Sequence, residues 1–343
     1  MNATYKNSLL AVTIVTQIRT WTGRSIATMA LALLTCLGSL AGISQGAIIG
    51  QDSFSDGDRS VADSSGANGG GPGLVWYTTT NEDASTTALT VVTDDDTPGI
   101  GGGNSLNMRP NSSSGNRPVV ATFAPTTLGG AVGDKITASM DIRFISGVSV
   151  DDSEGSSNLS FRLGLYNSNG TPITADGQRF DLESGTGNDF GYFARIPVGD
   201  PANTGGTAAR LSKETGVASG TSEDPLFGQD NSSGTGDDVS ELGMTSSFVG
   251  IADFEPHSIL MSLERTAGGV LTSIQVDGGT PFTAEDTSSP FETFDELAMT
   301  NLRITTEWRV DNVVIESVSI PEPASVAVLS IGLLLLSVRR VQA

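Results

Sequence analysis

Closely spaced acidic residues are the part of this sequence that comes nearest to a catalytic pattern. Glycoside hydrolases need two carboxylates about 5–9 Å apart, which on one strand favours acids two or four positions apart on the same face. The string Glu292-Thr293-Phe294-Asp295-Glu296 departs from that spacing and falls in a predicted loop. We interpret it as a solvated acidic turn, and we predict no catalytic residues.

The residue types that most often supply nucleophiles and transition-metal ligands are nearly absent. The chain has one cysteine, Cys36, and one histidine, His257. No Gly-x-Ser-x-Gly motif is present for His257 to serve as a base, so we predict His257 to be a surface residue. Zinc sites built from several histidines or cysteines are excluded within one chain.

Acidic loops are the candidate ligands for a hard cation. Asp151, Asp152 and Glu154 are close in sequence, and carboxylate oxygens are the ligands that Ca²⁺ prefers. Their spacing does not match an EF-hand loop. We treat them as a candidate structural calcium site, with a solvated acidic loop as the alternative.

One aromatic pair is a candidate platform for stacking a sugar ring. Trp76 and Tyr77 are adjacent, and adjacent residues on a strand point to opposite faces, so one of the two could be exposed. With aromatic residues at only 6% of the chain, most of the others are needed for the core. We predict Trp308, in an alternating segment, to be a core residue.

Alternation of apolar and polar residues defines the elements that must position these side chains. Period-two alternation marks strands with one buried face. Glycine-rich and asparagine-rich turns separate the segments, and no long stretch has a helical stripe. Short helical turns are expected at most at 128–133 and 291–297. The predicted strands are 118–123, 135–144, 159–166, 190–196, 258–265, 270–276, 302–306 and 308–316.

Length and charge limit the domain organisation and the partners. Of the 343 residues, about 270 are left for one large all-β domain once the two terminal segments are set aside. The formal net charge is −21, and no acidic residue precedes Asp52. A surface this acidic repels nucleic acid, so we predict no nucleic-acid partner.

The first 46 residues have the features of an export signal. Lys6, Arg19 and Arg24 are basic, residues 26–40 are apolar, and Ser44-Gln45-Gly46 is a small-x-small cleavage motif. We predict residues 1–46 to be a signal peptide that is cleaved between Gly46 and Ala47.

The C-terminal segment, residues 319–343, combines three features in a fixed order. Pro321-Glu322-Pro323 is followed by an apolar run, 324–338, and then by Arg339-Arg340. As a helix the run would be about 22 Å long, short for one membrane crossing unless the arginines extend it. The basic end would face the cytoplasm.

This order resembles the PEP-CTERM sorting signal, which implies a single transmembrane helix and processing by an exosortase-type enzyme. A plain C-terminal anchor is the alternative. The resemblance also implies an exported protein of the cell envelope or surface, or an extracellular one, which is at first held in the membrane by its C-terminus.

The body also resembles a known class of ectodomain. Segments 49–54, 133–136 and 161–167 and the closing Val310-Asp311-Asn312-Val313-Val314-Ile315 are similar to concanavalin-A-like (LamG-like) ectodomains of planctomycete and verrucomicrobial PEP-CTERM proteins. The resemblance implies a jelly-roll β-sandwich over 47–318 whose first and last strands pair. We therefore expect a non-enzymatic structural or glycan-binding component of an exopolysaccharide matrix. A divergent glycan hydrolase and a passive adhesion protein are the alternatives.

Overall fold

The computed structural model describes residues 45–59, 72–80, 87–94, 99–101, 103–110, 118–145, 160–179, 189–199, 208–215, 226–227, 239–248, 250–251, 253–302 and 307–320. Among these residues there are sixteen β-strands and no helix. The strands are β1 (Gln45–Asp52), β2 (Val75–Thr80), β3 (Thr87–Thr93), β4 (Asn104–Pro110), β5 (Val119–Thr127), β6 (Lys135–Phe144), β7 (Ser160–Asn167), β8 (Gln178–Arg179), β9 (Phe190–Pro197), β10 (Ala208–Glu214), β11 (Val239–Phe248), β12 (His257–Arg265), β13 (Val270–Val276), β14 (Phe282–Asp286), β15 (Thr293–Leu302) and β16 (Trp308–Ser319).

The strands form two sheets of eight. Sheet I has the order β14-β13-β12-β6-β16-β4-β3, with β1 also paired to β16. Sheet II has the order β11-β10-β9-β7-β15-β5-β2-β8. Neighbouring strands are antiparallel apart from β2 and β8, which run parallel. The described chain is therefore an all-β, two-sheet sandwich of the jelly-roll kind, with Gln45–Ser319 as one compact unit.

The core lies between the sheets and is built from the alternating apolar positions. Along β6 the residues alternate between half-buried and buried from Lys135 to Ile142, as period-two alternation predicts. Trp308 is 1% exposed and meets Phe161 edge to face, with ring centroids 5.1 Å apart. The prediction of Trp308 as a core residue is confirmed.

The first and last strands pair, as the resemblance implied. β1 runs antiparallel to β16, with Asp52 opposite Val313 and a register shift between Ile48 and Gly50. The proposed cleavage site, Gly46-Ala47, lies in β1 opposite Val318 and Ser317. Cleavage between Gly46 and Ala47 stays a prediction.

One segment differs from the sequence-based expectation. Residues 291–297 contain no helical turn, because β15 begins at Thr293 and lies between β7 and β5 near the middle of sheet II. The alternation there is broken by two consecutive acids, and a register shift between Phe294 and Glu296 accommodates them. At the other candidate turn, Asp134 N donates to Ala131 O, closing a tight turn before β6.

Membrane crossing was expected from residues 324–338, which lie outside the described part of the chain. Within the described part, no helix has the length and apolar character that a crossing would require.

Candidate functional site

The aromatic pair predicted to stack on sugar is placed by β2. Trp76 points into the core, is 0% exposed, and donates its Nε1–H to Asp52 Oδ2 at 2.9 Å. The prediction that Trp76 stacks on a ligand is wrong, because no face of its indole is open. Tyr77 points to the other side and is half-buried against a second apolar cluster on the outer face of sheet II. Its part in stacking stays a prediction.

The acidic string at Glu292–Glu296 is divided by the start of β15. Glu292 is outside the core and pairs with Arg265 at 2.6 Å. Asp295 is buried and accepts hydrogen bonds from Ser168 N at 2.8 Å and Ser168 Oγ at 2.6 Å. The predicted solvated acidic turn is therefore wrong for Asp295, whose carboxylate fixes the turn after β7 to sheet II.

Two further buried carboxyl groups, those of Asp189 and Glu296, lie beside that turn. Glu296 is 0% exposed, and its Oε1 accepts a hydrogen bond from Ile173 N at 3.0 Å. Burial, followed by the neighbouring carboxyl of Glu296, raises the pKa of Asp189 well above its usual range. Neither carboxyl oxygen of Asp189 has a hydrogen-bond partner among the described residues. Asp189 is 3% exposed, so both carboxyl groups of the pair are enclosed by protein.

The buried carboxyl groups predict how stability depends on pH. Burial raises the pKa of Asp52 and of Glu296 to about 7 and that of Asp311 to about 6. Such a group stabilises the fold fully below its unfolded pKa, near 4, and this contribution is lost as pH rises through the folded value. We expect the free energy of unfolding, measured with urea, to fall by several kcal/mol between about pH 5 and 8, since a tenfold change in proton affinity is roughly 1.4 kcal/mol.

Asp311→Asn is the matched variant for this pH dependence. The Oδ1 atom of Asp311 accepts a hydrogen bond from Asn312 N at 2.7 Å, which the amide oxygen of asparagine can also accept. We expect a shallower decline and higher stability than the wild type at pH 8. Asp176 and Glu292 are each bonded to an arginine, which lowers their pKa values. Their contribution to the free energy of unfolding therefore changes only below about pH 4. A free energy of unfolding that rises from pH 5 to 8 would contradict the prediction.

The remaining sequence-based site residues lie outside the described part of the chain. They are the candidate calcium ligands Asp151, Asp152 and Glu154 and the sorting-signal residues Pro321, Glu322, Pro323, Arg339 and Arg340. Within the described part, no group of three or more histidine, cysteine or acidic side chains is placed to hold a metal ion. The calcium site and the sorting signal stay predictions.

A shallow groove of about 270 Å³ crosses the outer face of sheet I. It spans β16, β6, β12 and β13, three strand spacings or about 14 Å, which is the length of a short oligosaccharide. Its floor is made by the outward positions of these strands, because the inward ones fill the core. The lining residues include Ser139, Asp141, Ser258, Leu260, Gln275 and Asn312.

Asn312 reaches this groove through a distortion of β16. The register of β16 against β6 shifts between Asp311 and Val314, and Asn312 has a φ of 51°. A bulge of this kind re-aims a side chain, and positive φ is uncommon outside glycine and asparagine. Asn312 Nδ2 donates to Asp141 Oδ2 at 2.9 Å, so the two side chains hold each other in place.

The groove offers several hydrogen-bonding groups beside one apolar side chain. The hydroxyls of Ser139 and Ser258 have no hydrogen-bond partner among the described residues and face the groove. Gln275 is held by its own turn, donating from Nε2 to Gly279 O at 2.6 Å. Leu260 is 36% exposed between them. Among the described residues that line the groove, Asp141 is the only charged one, so this lining suits an uncharged ligand rich in hydroxyls.

Comparison with known proteins gives similarity in architecture only. No protein-family model matches the chain, and no curated protein sequence matches it. Peanut lectin is similar with a TM-score of 0.36 and 9% identity, covering 71% of this chain and 97% of the lectin. A carbohydrate esterase of the Shiga toxin-encoding bacteriophage phi24B gives a TM-score of 0.35 and 14% identity, covering 71% and 89%.

A carbohydrate-binding module of Bacillus subtilis, CBM66, is also similar, with a TM-score of 0.32 and 13% identity. The match covers 68% of this chain and 96% of the module. At these scores the likenesses say nothing about what this chain binds.

His257 lies at the rim of the groove, next to the lining residue Ser258, and has a structural role. Its Nδ1 is 2.8 Å from Asp277 Oδ2 and its Nε2 is 2.9 Å from Asp253 Oδ1, and the side chain is 11% exposed. Asp277 also accepts a hydrogen bond from Ser258 N at 2.9 Å. These bonds fix the start of β12 and thereby the position of Ser258. The histidine predicted to be a surface residue is thus largely covered.

Sequence reasoning did not single out the groove residues. Ser139, Asp141, Ser258 and Leu260 are outward positions of strands that were predicted, so their faces were readable from the alternation. The signal for Asn312 was an asparagine that interrupts the alternation of its strand. What could not be read from one sequence was that these strands are neighbours.

Proposed function

We propose that this chain binds a neutral polysaccharide in the groove of sheet I and does not cleave it. The observation that carries the proposal is the bulge at Asn312, which turns an amide toward Asp141 at the cost of an uncommon backbone conformation. Uncommon φ values persist where surrounding structure enforces them, and they cluster at functional sites. An amide and a carboxylate held 2.9 Å apart can bind neighbouring sugar hydroxyls together.

Asn312→Gly tests the groove without straining the backbone. Glycine adopts positive φ readily, so this variant removes the side chain and should leave the unfolding midpoint nearly unchanged. We expect it to lower the affinity for the polysaccharide found on a glycan array by about two- to tenfold, because a hydrogen bond between uncharged groups contributes roughly 0.5–1.5 kcal/mol. Binding would be measured by isothermal titration calorimetry.

Asn169→Gly is the matched control. Asn169 also has a φ of 51° but lies in the turn after β7, outside the groove. This variant should bind as the wild type does. Equal affinity of Asn312→Gly and the wild type would remove the groove from consideration, and silence across all polysaccharides would leave a passive adhesion protein. Release of reducing sugar would instead favour a divergent hydrolase.

We also propose that the chain is exported, cut between Gly46 and Ala47, and sorted to the cell envelope or surface through residues 319–343. The Pro321-Glu322-Pro323 motif, the apolar run and Arg339-Arg340 support this proposal by their order. An exosortase-type enzyme would be the processing partner. Mass spectrometry of cell-released protein should find a C-terminus near 321–324. Released protein that retains Arg339-Arg340 would contradict processing.

A further inference from the structure

Three arginines lie side by side across sheet II. Arg162 in β7 is opposite Arg195 in β9, and Arg195 is opposite Arg210 in β10. Residues directly opposite on antiparallel strands share a face, with Cβ atoms about 5 Å apart. We call these three residues the arginine row. It faces away from the core, because the strand neighbours of its members are core residues: Leu163, Ala194, Ile196 and Leu211.

Such a row is unfavourable unless something offsets its charge. Like charges directly opposite on neighbouring strands destabilise a sheet. Three neighbouring arginines are unexpected in a chain of net charge −21 that has only 18 lysines and arginines. A chain this acidic has many carboxylates with which to neutralise each arginine separately.

The outer two arginines of the row are engaged by protein groups. Arg210 Nη1 donates to Glu241 Oε2 at 2.9 Å, at an exposed position. Arg162 is buried and donates from Nη1 to Phe227 O at 2.7 Å. Glu214, on the same face of β10, accepts hydrogen bonds from Tyr166 Oη at 2.6 Å and from Phe227 N at 2.8 Å.

The central arginine differs from its neighbours. Arg195 Nε is buried and has no hydrogen-bond partner among the described residues. Its guanidinium carbon lies 5.5 Å from the centroid of the Phe193 ring, which holds the group over the sheet. Burial and then the charge of Arg210 lower the pKa of Arg195. The carboxylates of Glu214 and Glu241 act in the opposite direction, so they offset part of the charge around Arg195. Arg195 is the member of the row with a donor, Nε, that no described residue pairs.

We propose that the arginine row binds the acidic group of an anionic polysaccharide, a carboxylate or a sulfate ester, with Arg195 as the central ligand. The planar guanidinium fork matches either oxyanion and can bind it through two hydrogen bonds. A bound oxyanion would add to the partial neutralisation that Glu214 and Glu241 already provide. This site is on sheet II, so it does not depend on the groove of sheet I.

Arg195→Gln tests the site in the full chain. Affinity would be measured by calorimetry for polygalacturonate, which carries carboxylates, for dextran sulfate, which carries sulfate esters, and for neutral dextran. We expect the wild type to bind at least one polyanion and the variant to bind it about tenfold more weakly or worse. The polyanion that binds more tightly identifies the preferred group. Any neutral polysaccharide binding that depends on Asn312 should be unaffected.

Arg109→Gln is the matched control, because Arg109 is an exposed arginine of β4 in sheet I and its loss changes the net charge equally. It should keep the polyanion affinity within about twofold. A wild type that binds neither polyanion, or an equal loss in both variants, would overturn the proposal. Arg210→Gln is a second test at an exposed position, so that a folding defect of Arg195→Gln would not prevent a decision. Unchanged polyanion affinity in Arg210→Gln, with Arg195→Gln unfolded, would also count against it.

Discussion

Replacing Lys213 with methionine is expected to lower the free energy of unfolding by about 3–5 kcal/mol. Lys213 belongs to β10 of sheet II, and its Nζ is 2.7 Å from Asp286 Oδ2 in β14 of sheet I. The two side chains are 9% and 3% exposed. Lys213 Nζ also donates to the carbonyl oxygens of Ser288 and Ser289, at 2.6 and 2.7 Å. Methionine has a similar length but leaves a buried carboxylate without its cation.

Urea denaturation of purified protein measures this loss, and Lys135→Met is the matched control. Lys135 pairs with Glu264 at the same distance, 2.7 Å, but both side chains are about a third exposed. An exposed pair contributes roughly 0–1 kcal/mol, so the control should change stability little. In the double variant with Asp286→Asn, the loss should be smaller than the sum of the two single losses. Equal effects of Lys213→Met and Lys135→Met would contradict the interpretation of a buried tie between the sheets.

Trp76→Ala is expected to destabilise the fold by about 3–5 kcal/mol, the usual range for truncating a large buried aromatic residue. The indole is fully buried and lies 5.8 Å from the Phe54 ring. Its Nε1–H is one of two donors to the buried Asp52 carboxyl group, the other being Phe54 N at 2.8 Å. Truncation would therefore leave both a cavity and a less satisfied carboxyl group. The loss would again be measured by urea denaturation.

Trp76→Phe separates the two contributions. Phenylalanine keeps most of the apolar volume but lacks the donor to Asp52, so we expect a loss of about 1–3 kcal/mol. If Trp76 were a stacking platform for sugar, Trp76→Ala would lose ligand affinity at unchanged stability, whereas Trp76→Phe would keep an aromatic face for stacking. An unfolding midpoint of Trp76→Ala equal to that of the wild type would show that the indole is not a core residue.

Strands with clean alternation could be predicted from the sequence, and those without it could not. Seven of the eight alternating segments correspond to β5, β6, β7, β9, β12, β13 and β16, within a few residues at each end. The eighth, 302–306, lies outside the described residues except for Leu302, which ends β15. The strands β3, β4, β8, β10, β11 and β14 were not predicted, and most of β15 was predicted as a loop or a short helical turn. β10 carries Arg210, Ser212 and Glu214 on its outer face, and Lys213 is buried on the opposite face. Lys213 is a charged residue on the inward face, so it breaks the alternation of β10. Its partner, Asp286, lies in the other sheet, so the sequence of β10 alone does not show the pair.

The prediction of a loop at residues 292–296 was wrong for a related reason. Two consecutive acids predict a loop, since adjacent residues on a regular strand point to opposite faces and one of them would enter the core. The shift in register at Phe294–Glu296 removes this conflict. Asp295 and Glu296 then both bind backbone of the 168–173 turn. The hydrogen-bond donors that satisfy these acids are more than 120 residues away along the chain.

By itself the sequence determined the class of fold, the faces of the alternating strands and the acidic character of the surface, because these depend on local period and composition. The candidate chemistry was decided only by the tertiary structure. Arg162, Arg195 and Arg210 become neighbours through strand order, and Asn312 meets Asp141 across 171 positions of sequence. Pairing register is set by the whole sheet, so a single strand does not specify it. The closely spaced carboxylates of Asp295 and Glu296 consequently have structural roles. The proposed binding sites are the groove of sheet I and the arginine row of sheet II.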